Sequence, residues 1–123
     1  MAKKKPATGK KKAAPNKFVM EVVALLAELG EVRSRAMFGG HGLYCGATFF
    51  GLIAYERLFF KVNEDSRGEF VARGMEPFSP WPGTVMKSYY EVPREVFEND
   101  EELVRWARRA VEVAEVSAPA KRR

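Results

Sequence analysis

Between Val32 and Val62 the apolar residues abandon helical spacing and gather into short runs, "GLYC", "TFFGLIAY" and "RLFFKV", rich in aromatic and branched side chains. Glycines at 39, 40, 42 and 46 and the polar break "YER" separate these runs. Runs of this composition bounded by turn residues are strands. The stretch "VRSRAMF" ahead of them alternates loosely as well. This segment therefore reads as a meander of three or four antiparallel strands, and the flanking segments must supply the helices that pack on it.

Those helices are legible from their spacing. Asn16 can cap a helix running to Leu29, in which Phe18, Val22, Leu25, Leu26 and Leu29 form one apolar stripe and Gly30 takes the C′ position. "NEDSRGEFVARG" (63–74) reads as a short helix capped by Asn63 or Asp65 and stopped at Gly74. Pro77, Pro80 and Pro82 make "MEPFSPWPGTVM" a loop entered from a short edge strand. "MKSYYEV" is a further strand ended by Pro93, with Tyr89 and Glu91 on one face and Tyr90 on the other. Asn99 and Glu102 make a start resembling a capping box for the last helix, whose stripe is Leu103, Trp106, Ala107, Ala110, Val111 and Ala114. In that helix Glu101 and Arg105 form an i,i+4 pair. The expected fold is α+β in two layers: an antiparallel sheet of about five strands packed with three helices, in the order α-β-β-β-α-β-β-α.

Charge is unevenly distributed along the chain. The formal net charge is +5, yet Lys3, Lys4, Lys5, Lys10, Lys11, Lys12 and Lys17 crowd the start and Lys121, Arg122 and Arg123 end it. Residues 18–120 hold 11 basic and 16 acidic side chains, so the body is acidic and the ends are basic. The division expected is a disordered lysine-rich leader (1–15), one domain (16–116) and a short basic tail (117–123). A mobile cationic leader can meet nucleic-acid phosphates without reading sequence. A single cysteine forms no internal disulfide, and the apolar run "VVALLA" falls far short of the roughly 20 residues that span a bilayer. The reading is a cytoplasmic protein with no membrane contact.

The stretch "RAMFGGHGLYCG" (35–46) gathers four glycines, the only histidine and the only cysteine. A dinucleotide fingerprint needs a third glycine where Cys45 stands and a helix after it, whereas a strand-like run follows. His41 and Cys45 are too few to complete a zinc site. On a strand they would lie about 13 Å apart, too far for a thiol–imidazole pair. The glycines then read as the turn of a hairpin. A small thiol-dependent enzyme or ligand-binding domain using Cys45 is the alternative. Phe49, Phe50, Phe59 and Phe60 resemble the stacking aromatics of an RNA-binding sheet, but the element order and the few basic residues nearby favour core packing.

Taken together, "RAMFGGHGLY", "FGLIAYERLFFKV", "MKSYYEVP" and "WARRA" resemble the N-terminal domain of the TfoX/Sxy family. The resemblance implies a two-layer α+β fold of helix, three strands, helix, two strands and helix. It also implies a bacterial, cytoplasmic protein associated with regulation of DNA-uptake competence, acting with a transcription activator. It brings no catalytic residues, no metal and no cofactor. The better-known regulators carry a second, helical domain, so the chain is expected to be a stand-alone copy of the first. The expected role is a non-enzymatic regulatory or interaction domain with a protein partner, transcription machinery being the candidate. The candidate surface is Arg35, Gly39, Gly40, His41 and Tyr44, flanked by Tyr90 and Glu91.

Overall fold

The computed structural model describes residues 17–37 and 39–117. The lysine-rich leader, the Asn16 cap, Phe38 and all but the first residue of the basic tail lie outside the described residues. The elements are α1 (Lys17–Leu25), a 3-10 turn (Ala27–Leu29), β1 (Val32–Met37), β2 (Gly40–Cys45), β3 (Thr48–Ala54), β4 (Arg57–Lys61) and α2 (Glu64–Ala72). They continue with β5 (Pro77–Trp81), β6 (Thr84–Glu91), α3 (Arg94–Phe97) and α4 (Asp100–Ser117). One sheet contains all the strands in the order β1-β2-β3-β4-β6-β5, with every neighbouring pair antiparallel.

The expected α+β layout therefore stands, with six strands in place of about five. The meander has four strands before α2 because "VRSRAM" pairs with β2 along its whole length, from Val32↔Cys45 to Met37↔Gly40. The first helix is shorter than expected. It ends at Leu25, and Leu29 belongs to a 3-10 turn closed by Gly30 at φ 124°. Leu26 is still fully buried, so the stripe survives the change of winding. A short helix not anticipated from the sequence, α3, follows Pro93, which is held at φ −60° and ψ 146° as its N-cap. Asn63, the first of the two caps considered, starts α2: its side chain accepts from the Ser66 N–H at 2.8 Å while Ser66 Oγ accepts from the Asn63 N–H at 3.0 Å. Asn99 Oδ1 accepts from the Glu102 N–H at 3.1 Å at the start of α4. The ion pair on that helix is i,i+3: Arg105 reaches Glu102 at 2.6 Å, where Glu101 was expected. Nearness to Arg105 holds the Glu102 carboxyl below its ordinary range, chiefly by that hydrogen bond.

All four helices bury side chains against one face of the sheet. Val19, Val22, Phe70, Val96, Leu103 and Trp106 meet Leu43, Phe50, Ile53, Leu58, Phe60 and Tyr90 in one core. A second, smaller cluster consists of strand residues alone: Leu52, Ala54, Phe59, Phe78 and Tyr89, with Met37, Phe49 and Met86 packed against it. What sends these side chains to opposite faces is a β-bulge. Leu43 pairs with Gly51 and Tyr44 with Phe49, so Phe50 is one residue too many on β3. The extra residue turns Phe50 into the helix-covered core and Phe49 onto the other face.

The β3–β4 turn is unusual in chemistry. Tyr55 and Glu56 both adopt left-handed backbone, φ 55° and 58°, as a two-residue type I′ hairpin requires, yet neither is the asparagine or glycine that such turns favour. A side chain in this region costs about 1 kcal/mol per residue. Glu56→Gly is expected to raise stability by about 0.5 kcal/mol, the relief of strain being partly offset by the freedom glycine adds to the unfolded chain. The urea-unfolding midpoint measures it, and an unchanged or lower midpoint would contradict the strained-turn account.

Candidate interaction surface

The face without helices is built from the β1–β2 hairpin outward. Two glycines make it possible. A Cβ on Gly40 would run into the Ile53 carbonyl oxygen of β3, and a Cβ on Gly42 would meet the Met37 methyl at 2.6 Å and the Phe49 ring at 2.8 Å. Without side chains there, Met37 and Phe49 lie across the β2 backbone. Gly39, at φ 75°, turns the chain between β1 and β2. The expected hairpin turn is realised at Gly39, whereas Gly40 and Gly42, expected in the turn, are paired residues of β2.

Across this face runs a row of aromatic rings with a cation at each end. The Arg33 guanidinium lies 5.4 Å from the Tyr44 ring centre. Tyr44 stacks on Phe49 at 5.1 Å, and Phe49 meets Tyr89 at 5.6 Å. The Lys61 ammonium sits 5.0 Å from Tyr89. Arg33 is further held by donating from Nη2 to the Gly46 carbonyl at 3.2 Å. Phe59 and Phe78 pack edge to face at 5.0 Å behind the row. Each such contact is worth roughly 0.5–1.5 kcal/mol beyond area burial, so the row is a rigid platform. Burial pushes the Tyr89 phenol up to about 12, with a smaller contribution from the Tyr44 phenol, and burial also lowers the Lys61 ammonium.

Electrostatically the face differs from the rest of the domain. No aspartate or glutamate occurs from Val32 to Ala54, a stretch that carries Arg33, Arg35 and His41. The acids instead line the helices, where Glu69 pairs with Arg109, Glu95 with Arg73 at 2.9 Å and Glu102 with Arg105. Arg73 and Arg109 also bracket the Trp106 ring at 5.0 and 5.3 Å, which ties α2 and α4 together at the surface.

The residues singled out from sequence are only partly brought together. Arg35 pairs across to Gly42, and Gly39, Gly40, His41 and Tyr44 lie on the same hairpin. Tyr90 and Glu91 lie on β6, with β3 and β4 between them and β2. Tyr90 is buried in the helix-side core beside Phe70, so it is not part of an exposed surface. Its neighbour Tyr89 is the tyrosine on the open face, and it is equally buried. Glu91 pairs with Arg57 at 3.6 Å beside a groove of about 450 Å3 that also takes in Phe18, Arg94 and Phe97. Arg33, Phe49, Lys61 and Tyr89 were not singled out for this surface. Alternation along "VRSRAM" places Arg33 and Arg35 together, but the bulge that brings Phe49 beside Tyr44 leaves no mark in the pattern.

His41 and Cys45 lie toward opposite ends of β2. The Cys45 thiol donates to the Leu29 carbonyl at 3.8 Å and packs against the main core, half-buried. Among the described residues no group of three His, Cys, Asp or Glu side chains could hold a metal. No described helix is long and apolar enough to cross a membrane. Of the seven leader lysines only Lys17 is described, exposed at the start of α1.

The Tyr89 environment yields a direct test. A phenol raised from 10 to about 12 keeps the folded state whole below pH 10, where tyrosine is neutral in both states, and costs it stability as the pH climbs from 10 to 12. Ultraviolet titration is expected to show one tyrosine ionising near 12, absent in Tyr89→Phe, whose alkaline unfolding is also delayed. Titration of all tyrosines near 10 would place Tyr89 in water.

No curated protein is matched by the chain. A family model does match. The pattern described as the TfoX N-terminal domain covers residues 24–114, from the end of α1 to the last turn of α4 and with every strand of the sheet inside it. With that span matched and the α+β order in place, the chain belongs to the TfoX N-terminal domain family.

Proposed function

We propose that this chain is a non-catalytic regulatory domain of the bacterial cytoplasm that works by binding a protein partner, with transcription machinery as the partner class. The observation that carries this reading is the sheet face without helices, crossed by the row from Arg33 to Lys61. A rigid, partly apolar platform rimmed by cations is what an interface core demands, because aromatic and arginine side chains contribute most of the energy at protein interfaces. Family membership supports the regulatory side, since the resemblance noted above is to regulators of DNA-uptake competence that act with a transcription activator. The leader lysines add a second, sequence-independent contact with nucleic acid.

Two measurements test these parts separately. Crosslinking and capture from bacterial lysate, run with the wild-type chain and with Tyr44→Ala, is expected to recover a transcription protein with the former and to lose it with the latter. Equal recovery of the same proteins by both would remove the open face from the interface. Gel shifts on mixed-sequence DNA are expected to give log K falling with log salt at a slope no steeper than about −6, from roughly −0.9 per lysine engaged. Deleting residues 1–15 should abolish the shift; binding that survives deletion would put the nucleic-acid contact on the folded body.

A further inference from the structure

The two edges of the sheet differ in what they offer a partner. The β5 edge is closed by Pro77 and Pro80, which carry no N–H, and by Ser79, whose hydroxyl lies 2.9 Å from the Trp81 carbonyl and 2.7 Å from that of Thr84. The β1 edge has no proline. Its main-chain groups can be assigned from the register. The Gly46 N–H donates to the Glu31 carbonyl at 2.8 Å, and the pairing continues as Arg33↔Tyr44, Arg35↔Gly42 and Met37↔Gly40. In an antiparallel ladder those alternate residues direct their N–H and C=O groups toward β2, and the residues between them direct theirs outward. Val32, Ser34 and Ala36 thus face away from the sheet. The Val32 N–H is taken by the Gly30 carbonyl at 3.0 Å, whereas the main-chain groups of Ser34 and Ala36 have no backbone partner among the described residues.

We infer that β1 is a docking edge for an extended acidic segment of a protein partner, added to the sheet as a seventh strand. This inference rests on the protein-partner reading and names its mode. Main-chain pairing at Ser34 and Ala36 supplies affinity, and the side chains on either side supply selectivity. Arg33 and Arg35 stand two residues apart on the open face, in a stretch free of acids, and Arg35 has no ion-pair partner among the described residues. Glutamates two apart on the incoming strand match them. Glu31 sits just ahead of β1, so the incoming residue that faces it must not be acidic, which sets the register. A second copy is a poor occupant. Antiparallel pairing centred on Ser34 would set Arg33 opposite the second copy's Arg35, and like charges directly opposed destabilise a strand pair.

The experiment uses the full chain and a short capped peptide of alternating glutamate and valine, with a lysine–valine peptide as its counterpart. By amide hydrogen exchange, Ser34 and Ala36 are expected to exchange freely alone and to gain about tenfold protection or more with the glutamate peptide. Arg35→Glu should weaken that peptide about fivefold and reverse the preference toward the lysine peptide. Ala36→Pro, which removes an outward N–H on an edge where proline is tolerated, should abolish binding with β2 to β6 amides unchanged. If Ala36→Pro fails to fold, the reversed preference of Arg35→Glu decides alone. Protection at Tyr44 and Phe49 in place of β1, or no reversal, overturns the edge mode. So does a dimer with Ser34 and Ala36 protected in free protein, or displacement of the peptide by single-stranded DNA. Capture of a transcription protein in the lysate experiment, with no protection at β1 here, would overturn the edge mode and leave the broader reading standing.

Discussion

One extra residue, Phe50, organises this domain. Without the bulge, strict alternation along β3 would put Phe50 on the same face as Leu52, and Phe49 on the helix side. With it, Phe50 becomes one of the largest fully buried side chains in the helix-covered core, near Phe60 at 6.1 Å. Phe49 is released to bridge Tyr44 of β2 and Tyr89 of β6, a span of four strands. The same local irregularity thus completes the main core and the platform on the other face. A bulge also increases local twist, which suits a sheet wrapped against four helices on one side.

Charge follows the same division into layers. The helices hold most of the acids, of which Glu69, Glu95 and Glu102 pair with arginines, while β1 to β3 have none. Exposed pairs of this kind contribute little to stability, at most about 1 kcal/mol each. The charges nonetheless divide by layer, the helices carrying an excess of acids and the strands an excess of bases. The overall net charge of +5, set by the chain ends, conceals this arrangement.

How much of this could be read from residues alone depended on whether the pattern was local. Helix stripes, the Asn63 and Asn99 caps and the turns at Gly39 and Gly46 were legible, because each is decided within a few residues. Gly40 and Gly42, read as turn residues, lie within β2. The proline-rich stretch, read as a loop, forms the edge strand β5 and the start of β6; both departures are fixed by cross-strand pairing. The strand count was one short, since "VRSRAM" alternates too weakly to declare itself and is fixed by pairing with β2. The identity of the open-face tyrosine was the harder matter. Alternation separates Tyr89 from Tyr90 but does not say which face the helices cover; that depends on Tyr90 meeting Phe70 from α2. The surface proposed from sequence likewise joined β2 and β6 as though adjacent, because chain order does not reveal that β3 and β4 come between.

On the face without helices Phe59, Phe78 and Tyr89 are buried among strand residues, while Tyr44 and Phe49 are half-buried. The cations add to that cover. Arg33 and Lys61 each hold a charged head over a terminal ring, 5.4 Å from Tyr44 and 5.0 Å from Tyr89. A guanidinium over a ring is a reversible cover: it holds water and like-charged surfaces off, yet a carboxylate can recruit it without exposing the ring to solvent. An anion laid over either terminal ring would be repelled by the ring's own negative quadrupole, and Glu91, which shares the face of Tyr89, is turned to Arg57 instead.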